Sequence, residues 1–123
     1  MSRNTVVVVE DEPLVRLTSA EMFAEAGINV VEFTDGDAAM DYLRDHKSDV
    51  AAVFTDVYLP GDTDGLELAG IVSAVCPEIA VLVTSGQRAA EAGRLGPGVR
   101  YLPKPWHPDD VLSTMQEAVR AAA

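Results

Sequence analysis

The chain has 123 residues, enough for one ordinary domain, and 48% of them are hydrophobic, which excludes a disordered chain. The formal net charge is −11, which argues against binding to nucleic acid phosphates or to anionic membrane surfaces. The single cysteine, Cys76, excludes an internal disulfide, and no run approaches the roughly 20 apolar residues of a membrane span. We therefore expect a cytoplasmic domain with neither nucleic acid nor membrane as a partner.

Strand-like and helix-like segments alternate along the chain. Short apolar runs rich in β-branched residues predict strands, and longer stretches with capping residues predict helices. Thr34 and Asp37 have the spacing of a capping box, and Asp64 is placed to cap a third helix. In chain order, the predicted elements are a strand at 5–10, a helix at 13–26, a strand at 28–33, a helix at 35–46, a strand at 51–55, a helix at 64–76, strands at 79–84 and 99–102, and a helix at 107–121.

Repeated strand–helix units require a parallel sheet with right-handed crossovers and helices on both faces. The predicted fold class is therefore α/β, with a doubly wound five-stranded parallel sheet. The segment 87–98 is the weak part of this pattern, because it holds three glycines, one proline and Leu95 as its only large apolar side chain. We predict a short or irregular fourth helix there.

Carboxylates follow two of the predicted strands. Glu10 and Asp11 come directly after four valines, and Asp56 comes directly after the apolar run 51–55. The carboxyl ends of parallel strands lie at one edge of a sheet, where open α/β sheets bind ligands, so these three groups are expected to converge. Three carboxylates repel one another unless a hard cation neutralises them, and Mg²⁺ prefers such oxygen ligands. The sequence predicts a magnesium site.

Two more strand ends carry groups suited to phosphoryl transfer. Thr84 ends the fourth predicted strand, and Lys104 follows the fifth. A carboxylate nucleophile, a cation, a hydroxyl group and an ammonium group are what this chemistry requires. Asp56 is the predicted nucleophile, since a carboxylate can attack phosphorus and form an aspartyl phosphate.

Five motifs, which keep their order and cover essentially the whole chain, resemble those of the receiver domains of two-component response regulators. They are Val-Val-Glu-Asp-Glu-Pro, Phe-Thr-Asp-Val-Tyr-Leu-Pro-Gly, Asp-Gly-Leu-Glu-Leu, Val-Leu-Val-Thr-Ser-Gly and Tyr-Leu-Pro-Lys-Pro-Trp. Receivers have a flavodoxin-like fold, so the resemblance implies the strand order 2-1-3-4-5.

The resemblance also implies roles for the site residues. Asp56 would accept a phosphoryl group from a histidine kinase or a histidine phosphotransfer protein. Asp11 and Asp56 would bind Mg²⁺ directly, Glu10 mostly through water, and Tyr58 through its main-chain carbonyl. A cation held in this way would complete the acceptor site.

Three further roles follow from the same resemblance. Lys104 would contact the phosphoryl group, Thr84 would close onto it, and Tyr101 would be the aromatic residue that follows Thr84 inward. The Lys104–Pro105 peptide bond is commonly cis in this family. Residues 1–123 are expected to form a single receiver domain that catalyses only its own phosphorylation and dephosphorylation. Its output would be a phosphorylation-dependent protein–protein interaction that involves 87–98.

Other functions remain open from the residues. The chain could be the receiver piece of a hybrid histidine kinase. A phosphatase of the haloacid dehalogenase type uses similar groups, but it needs a second Asp two residues after the nucleophile, where this chain has Tyr58. A flavodoxin-like cofactor carrier is disfavoured because the acidic pair Glu10 and Asp11 would repel a flavin phosphate. The loop 60–65 is also one residue longer than the usual receiver form.

Overall fold

The computed structural model describes residues 3–86 and 98–122. Every strand and helix predicted within those residues is present, and the predicted ends differ from the observed ones by no more than one residue. In chain order, the elements are β1 (Thr5–Val9), α1 (Pro13–Glu25), β2 (Asn29–Phe33), α2 (Gly36–His46), a 3-10 turn (Lys47–Asp49), β3 (Val50–Asp56), α3 (Gly65–Val75), β4 (Ala80–Ser85), β5 (Val99–Pro103) and α4 (Pro108–Ala122).

The five strands form one parallel sheet in the order β2-β1-β3-β4-β5, which confirms the predicted topology. Val9 at the end of β1 lies opposite Thr55 of β3, and Asp56 lies opposite Thr84 of β4. This register brings the ends of the three central strands to one edge of the sheet. Residues 87–97 lie outside the described residues, so the short fourth helix stays a prediction.

Two apolar layers enclose the sheet because successive strand side chains point to opposite faces. The layer under α2 and α3 includes Val7, Val9, Val53, Leu43 and Leu68. The layer under α1 and α4 includes Val6, Val8, Phe54, Phe23 and Met115. The central strands β1 and β3 are buried on both faces, as their continuous apolar sequence predicts. Among the described residues, no helix has the length and apolar composition needed to cross a bilayer.

Acidic side chains cap the first three helices. Glu12 accepts from the main-chain N–H groups that open α1, and Asp64 forms a reciprocal capping box with Glu67, which confirms the predicted cap of α3. The predicted role of Thr34 is wrong. Asp35 caps α2 instead, since it has extended backbone and accepts from Ala38 N at 2.8 Å, and the predicted Thr34 partner, Asp37, accepts from residues of another loop.

The start of α3 packs directly against the end of β3. Gly65 N donates to the Val57 carbonyl oxygen at 2.8 Å, and a Cβ atom added to Gly65 would overlap the main-chain carbonyl oxygen of Asp56. Only glycine therefore allows this approach. Gly70, one and a half turns later in α3, has open space where its Cβ would stand.

We expect Gly65→Ala to lower the free energy of unfolding by roughly 1–3 kcal/mol, because the backbone beside Asp56 must move to admit a methyl group. Gly70→Ala is the matched control, and it should raise the free energy of unfolding by about 0.5–1 kcal/mol, since alanine restricts the unfolded chain. Urea denaturation of both variants measures the difference. A Gly65→Ala variant as stable as the parent would contradict this packing.

Candidate functional site

Four strand ends place charged and polar side chains at one edge of the sheet. Glu10 follows β1, Asp56 is the last residue of β3, Thr84 lies in β4, and Lys104 follows β5. Asp56 and Thr84 are paired in register, and Lys104 N donates to the Ser85 carbonyl oxygen at 2.9 Å. The four functional groups predicted from the sequence therefore lie at the same edge of the sheet.

The ammonium group of Lys104 bridges two carboxylates. Its Nζ lies 3.1 Å from Glu10 Oε1 and 3.1 Å from Asp56 Oδ2, and both carboxylates are buried. Burial alone would lower the pKa of Lys104, but the hydrogen bonds to Glu10 and Asp56 outweigh burial and raise that pKa. Lys104 is therefore a permanent positive charge at this edge.

Glu10 is the most enclosed carboxylate of the site, with 4% of its surface exposed. Burial raises the pKa of Glu10, and the charge of Asp56 raises it further. The hydrogen bond from Glu12 N, at 3.2 Å, and the contact with Lys104 only partly offset these effects. A second cation beside Glu10 would relieve the same electrostatic cost.

Glu10, Asp11 and Asp56 each offer a carboxylate oxygen to one small space, with these atoms within 4.8 Å of one another. Asp11 is exposed, whereas the other two side chains are buried, so the cluster opens to solvent on the Asp11 side. Hard oxygen donors that surround a space open to water suit Mg²⁺, which keeps several of its own water ligands. The residues present fit a magnesium ion.

Thr84 adds a hydroxyl group to this edge. Its side chain is buried, and Oγ1 has no hydrogen-bond partner among the described residues. A buried polar atom without a partner is costly, and such atoms often mark functional positions. Thr84 is directly opposite Asp56 in the sheet, so a group attached to Asp56 would be an acceptor for this hydroxyl.

The two tyrosines predicted for the site lie at its margins. Tyr101 of β5 is half-buried against the α2–α3 layer, and its hydroxyl donates to the Ser85 carbonyl oxygen at 3.4 Å. Tyr58, two residues after Asp56, has 52% of its surface exposed. The Lys104–Pro105 peptide bond is cis, as the resemblance implied.

Arg16 is a site residue that sequence reasoning missed. Its guanidinium group donates to the main-chain carbonyl oxygen of Glu10 at 3.1 Å, and its Nε lies 3.5 Å from Glu32 Oε1. Arg16 therefore ties the end of β1 to α1 and β2. The sequence shows a basic residue one turn after Glu12, but helical periodicity alone does not indicate which strand the Arg16 side chain contacts.

Comparison with known protein families identifies the family of this domain. The family model described as the response regulator receiver domain matches residues 6–116. The chain belongs to this family. The receiver is 32% identical over 117 residues to the transcriptional regulatory protein PdtaR of Mycobacterium tuberculosis, an alignment that covers 93% of this chain and 56% of PdtaR. It is 30% identical to the probable transcriptional regulatory protein TcrX of the same species, with 94% of this chain and 50% of TcrX covered.

Solved structures agree on the fold. A response regulator receiver protein from Sinorhizobium medicae superposes with a TM-score of 0.87 at 21% identity, with 98% of each chain covered. The receiver domain of NtrX from Brucella abortus has a TM-score of 0.79 at 28% identity, with 94% of this chain and 98% of that chain covered. The receiver spans about half the length of the curated relatives PdtaR and TcrX.

We expect charge changes in the site to move stability in opposite directions. Lys104→Met should lower the free energy of unfolding by roughly 1–3 kcal/mol, because buried Glu10 loses its cationic partner. Asp11→Asn should raise it by up to about 0.5 kcal/mol, since one of three mutually repelling charges is removed. Urea unfolding in EDTA and low salt measures both changes. If the free energy of unfolding changed in the same direction in both variants, carboxylate repulsion would not dominate this edge.

Proposed function

We propose that Asp56 of this receiver accepts a phosphoryl group from the histidine residue of a kinase or phosphotransfer protein. The observation that carries the proposal is the place of Asp56, which stands between Lys104, 3.1 Å away, and the acidic cluster with Glu10 and Asp11. A nucleophilic carboxylate is thus flanked by a cation and by groups that fit a second cation. Membership of the receiver family supports the same reading.

The transfer exchanges one bond to phosphorus for another. An Asp56 carboxylate oxygen attacks the phosphorus atom of the phosphohistidine as the phosphorus–nitrogen bond breaks, and the bond electrons leave with the imidazole. Lys104 neutralises charge on the transferred phosphoryl oxygens, and the Thr84 hydroxyl donates a hydrogen bond to one of them. Thr84 can do so because its hydroxyl has no other partner among the described residues.

In this proposal the carboxylates of Asp11 and Asp56 would hold Mg²⁺ directly, Glu10 would act through water, and Tyr58 would contribute its main-chain carbonyl. When bound, the ion supplies positive charge that offsets the negative charge of the phosphoryl oxygens. The donor set supports this assignment, because three carboxylate oxygens lie within 4.8 Å of one another.

The phosphoryl group is stored rather than turned over. Rapid hydrolysis of an aspartyl phosphate requires a base that activates water, and the position where a haloacid dehalogenase phosphatase has that Asp is Tyr58. We therefore infer that the chain catalyses only its own phosphorylation and dephosphorylation. The same acceptor chemistry would hold in a hybrid kinase, and the receiver of the hybrid histidine kinase CckA is 25% identical with a TM-score of 0.78.

Output passes, in this proposal, from Thr84 to Tyr101. Movement of Thr84 toward the phosphoryl group shifts Ser85, whose carbonyl oxygen accepts the Tyr101 hydrogen bond. Tyr101 then moves inward, and the surface around β5 changes its affinity for a protein partner in the cytoplasm. The output role predicted for 87–98 falls almost entirely outside the described residues. The net charge of −11 favours a protein over a nucleic acid as the direct partner of this domain. The transcriptional roles in the names of PdtaR and TcrX are those of longer proteins.

We expect acetyl phosphate to label the parent protein but not Asp56→Asn, because the amide is not a nucleophile toward phosphorus. Excess EDTA should abolish labelling of the parent, since the phosphoryl charge is then left without its divalent cation. Thr84→Ala, which retains the carboxylates and Lys104, is the matched control and should still be labelled. Label that persists in Asp56→Asn would place the acceptor elsewhere.

An apolar groove of about 590 Å³ adjoins Lys104 and is lined by α1 and the residues after β5. Leu14 is 70% exposed at its margin, with Val15, Pro105 and Trp106 along the groove. A phosphodonor protein must approach the edge that carries Asp56, and the groove lies beside Lys104, whose Nζ contacts Asp56. The groove therefore suits an apolar helix face of the phosphodonor.

The useful quantity is the rate of phosphotransfer from a histidine kinase divided by the rate of labelling by acetyl phosphate. We expect Leu14→Ala to lower this ratio by about tenfold, as for a contact at an interface hot spot. Val75→Ala is the matched control, since Val75 is an aliphatic side chain that is 64% exposed on α3, away from the groove. Its ratio should equal that of the parent. Equal ratios in all three proteins would remove the groove from the donor interface.

A further inference from the structure

The loop between β3 and α3 is anchored at its base. Val57 N donates to the Thr84 carbonyl oxygen at 3.0 Å, and Gly65 N returns to the Val57 carbonyl oxygen at 2.8 Å. Residues 58–64 thus leave the sheet edge and come back to the same point. Tyr58, which supplies a main-chain ligand in the proposed function, is the first residue of this excursion.

The far side of the loop is held by one carboxylate, that of Asp37 in the first turn of α2. Asp37 Oδ1 accepts from the Thr63 hydroxyl at 2.6 Å, and Oδ2 accepts from Asp62 N at 3.3 Å. Asp62 and Thr63 follow Asp37 by 25 and 26 positions in the chain. The backbone also approaches closely here, because a Cβ atom on Gly36 would overlap the Thr63 carbonyl oxygen.

An acidic residue in the first turn of a helix can stabilise that helix through its dipole. This effect does not explain why Asp37 contacts the β3–α3 loop, and the cap of α2 is Asp35. Both carboxylate oxygens of Asp37 instead receive donors from the loop. The geometry is that of a clamp on residues 62 and 63.

We propose that Asp37 is a positioning residue for the phosphoacceptor site. By holding residues 62 and 63, it restricts the backbone of the whole excursion, including Tyr58, and so preorganises the main-chain ligand next to Asp56. Without the clamp, the loop keeps its base hydrogen bonds and the packing of Leu59 on the core, but residues 62 and 63 gain conformations that must be lost when the cation binds. Asp37 therefore sets magnesium affinity and the lifetime of the phosphoryl group while it touches neither. This inference rests on the proposed function.

Two substitutions break the Asp37–Thr63 hydrogen bond from opposite sides. Asp37→Ala removes the acceptors, and Thr63→Val removes the hydroxyl donor without changing any charge. Asp41→Ala is the control, because Asp41 is an acidic residue on the same helix that pairs with Arg44, 2.8 Å away. Magnesium affinity is followed by the fluorescence of Trp106, the single tryptophan, which lines a groove with Lys104. Phosphoryl lifetime and hydrogen exchange of residues 58–64 are measured in parallel.

We expect Thr63→Val to weaken magnesium binding by about fivefold, which corresponds to one hydrogen bond, and Asp37→Ala to weaken it at least as much, since it removes two. Each should also alter the phosphoryl lifetime and speed exchange within 58–64, while Asp41→Ala matches the parent. The double variant should be no worse than Asp37→Ala, since the two residues share one contact. Asp37→Asn keeps one acceptor oxygen and should fall between Asp37→Ala and the parent.

Parent-like magnesium affinity and loop exchange in folded Asp37→Ala or Thr63→Val would overturn the inference. Thr63→Val keeps the test decisive if Asp37→Ala proves too unstable to purify. Magnesium affinity and hydrogen exchange report on the clamp without any phosphorylation. A parent protein that is not labelled on Asp56 would therefore count against the proposed function, and parent-like Thr63→Val would count against the clamp.

Discussion

The contact of the Lys104 ammonium with Glu10 and Asp56 is the interaction on which the rest of the site depends. Two buried carboxylates whose oxygens lie within 4.8 Å of each other repel strongly unless a cation lies beside them. Lys104 supplies that charge, 3.1 Å from an oxygen of each. Because Asp11 lies within the same cluster, negative charge still exceeds positive charge, and this excess makes the edge a site for a further cation.

The sheet creates this arrangement by its register. Parallel pairing places Asp56 beside Thr84, and the side chains of β1 and β3 are buried on both faces of the sheet. A shift by one residue would turn Asp56 to the opposite face of the sheet. The same packing leaves the Thr84 hydroxyl buried without a partner among the residues described, a cost that a phosphoryl group on Asp56 would remove.

Two polar contacts connect the elements around this edge. Arg16 ties the Glu10 carbonyl to Glu32 of β2, and Asp37 ties the β3–α3 loop to α2. Neither residue reaches the reacting atoms, yet both connect elements that carry them. Such a tether is useful because the residues of the β3–α3 loop lose conformational entropy when the site is ordered.

The sequence by itself determined the element ends and the carboxylate edge, because caps, apolar runs and strand-end positions are local features. Asp64 as a cap and the convergence of Glu10, Asp56 and Lys104 follow from such features together with parallel pairing. Local spacing did not separate Asp35 from Thr34 as the cap of α2, since both can accept at that end. Only the tertiary structure decided that Asp37 faces the loop 25 residues away and that Arg16 reaches Glu10. Those contacts form only when helices and loops that are distant in the chain pack against each other, so local sequence patterns do not reveal them.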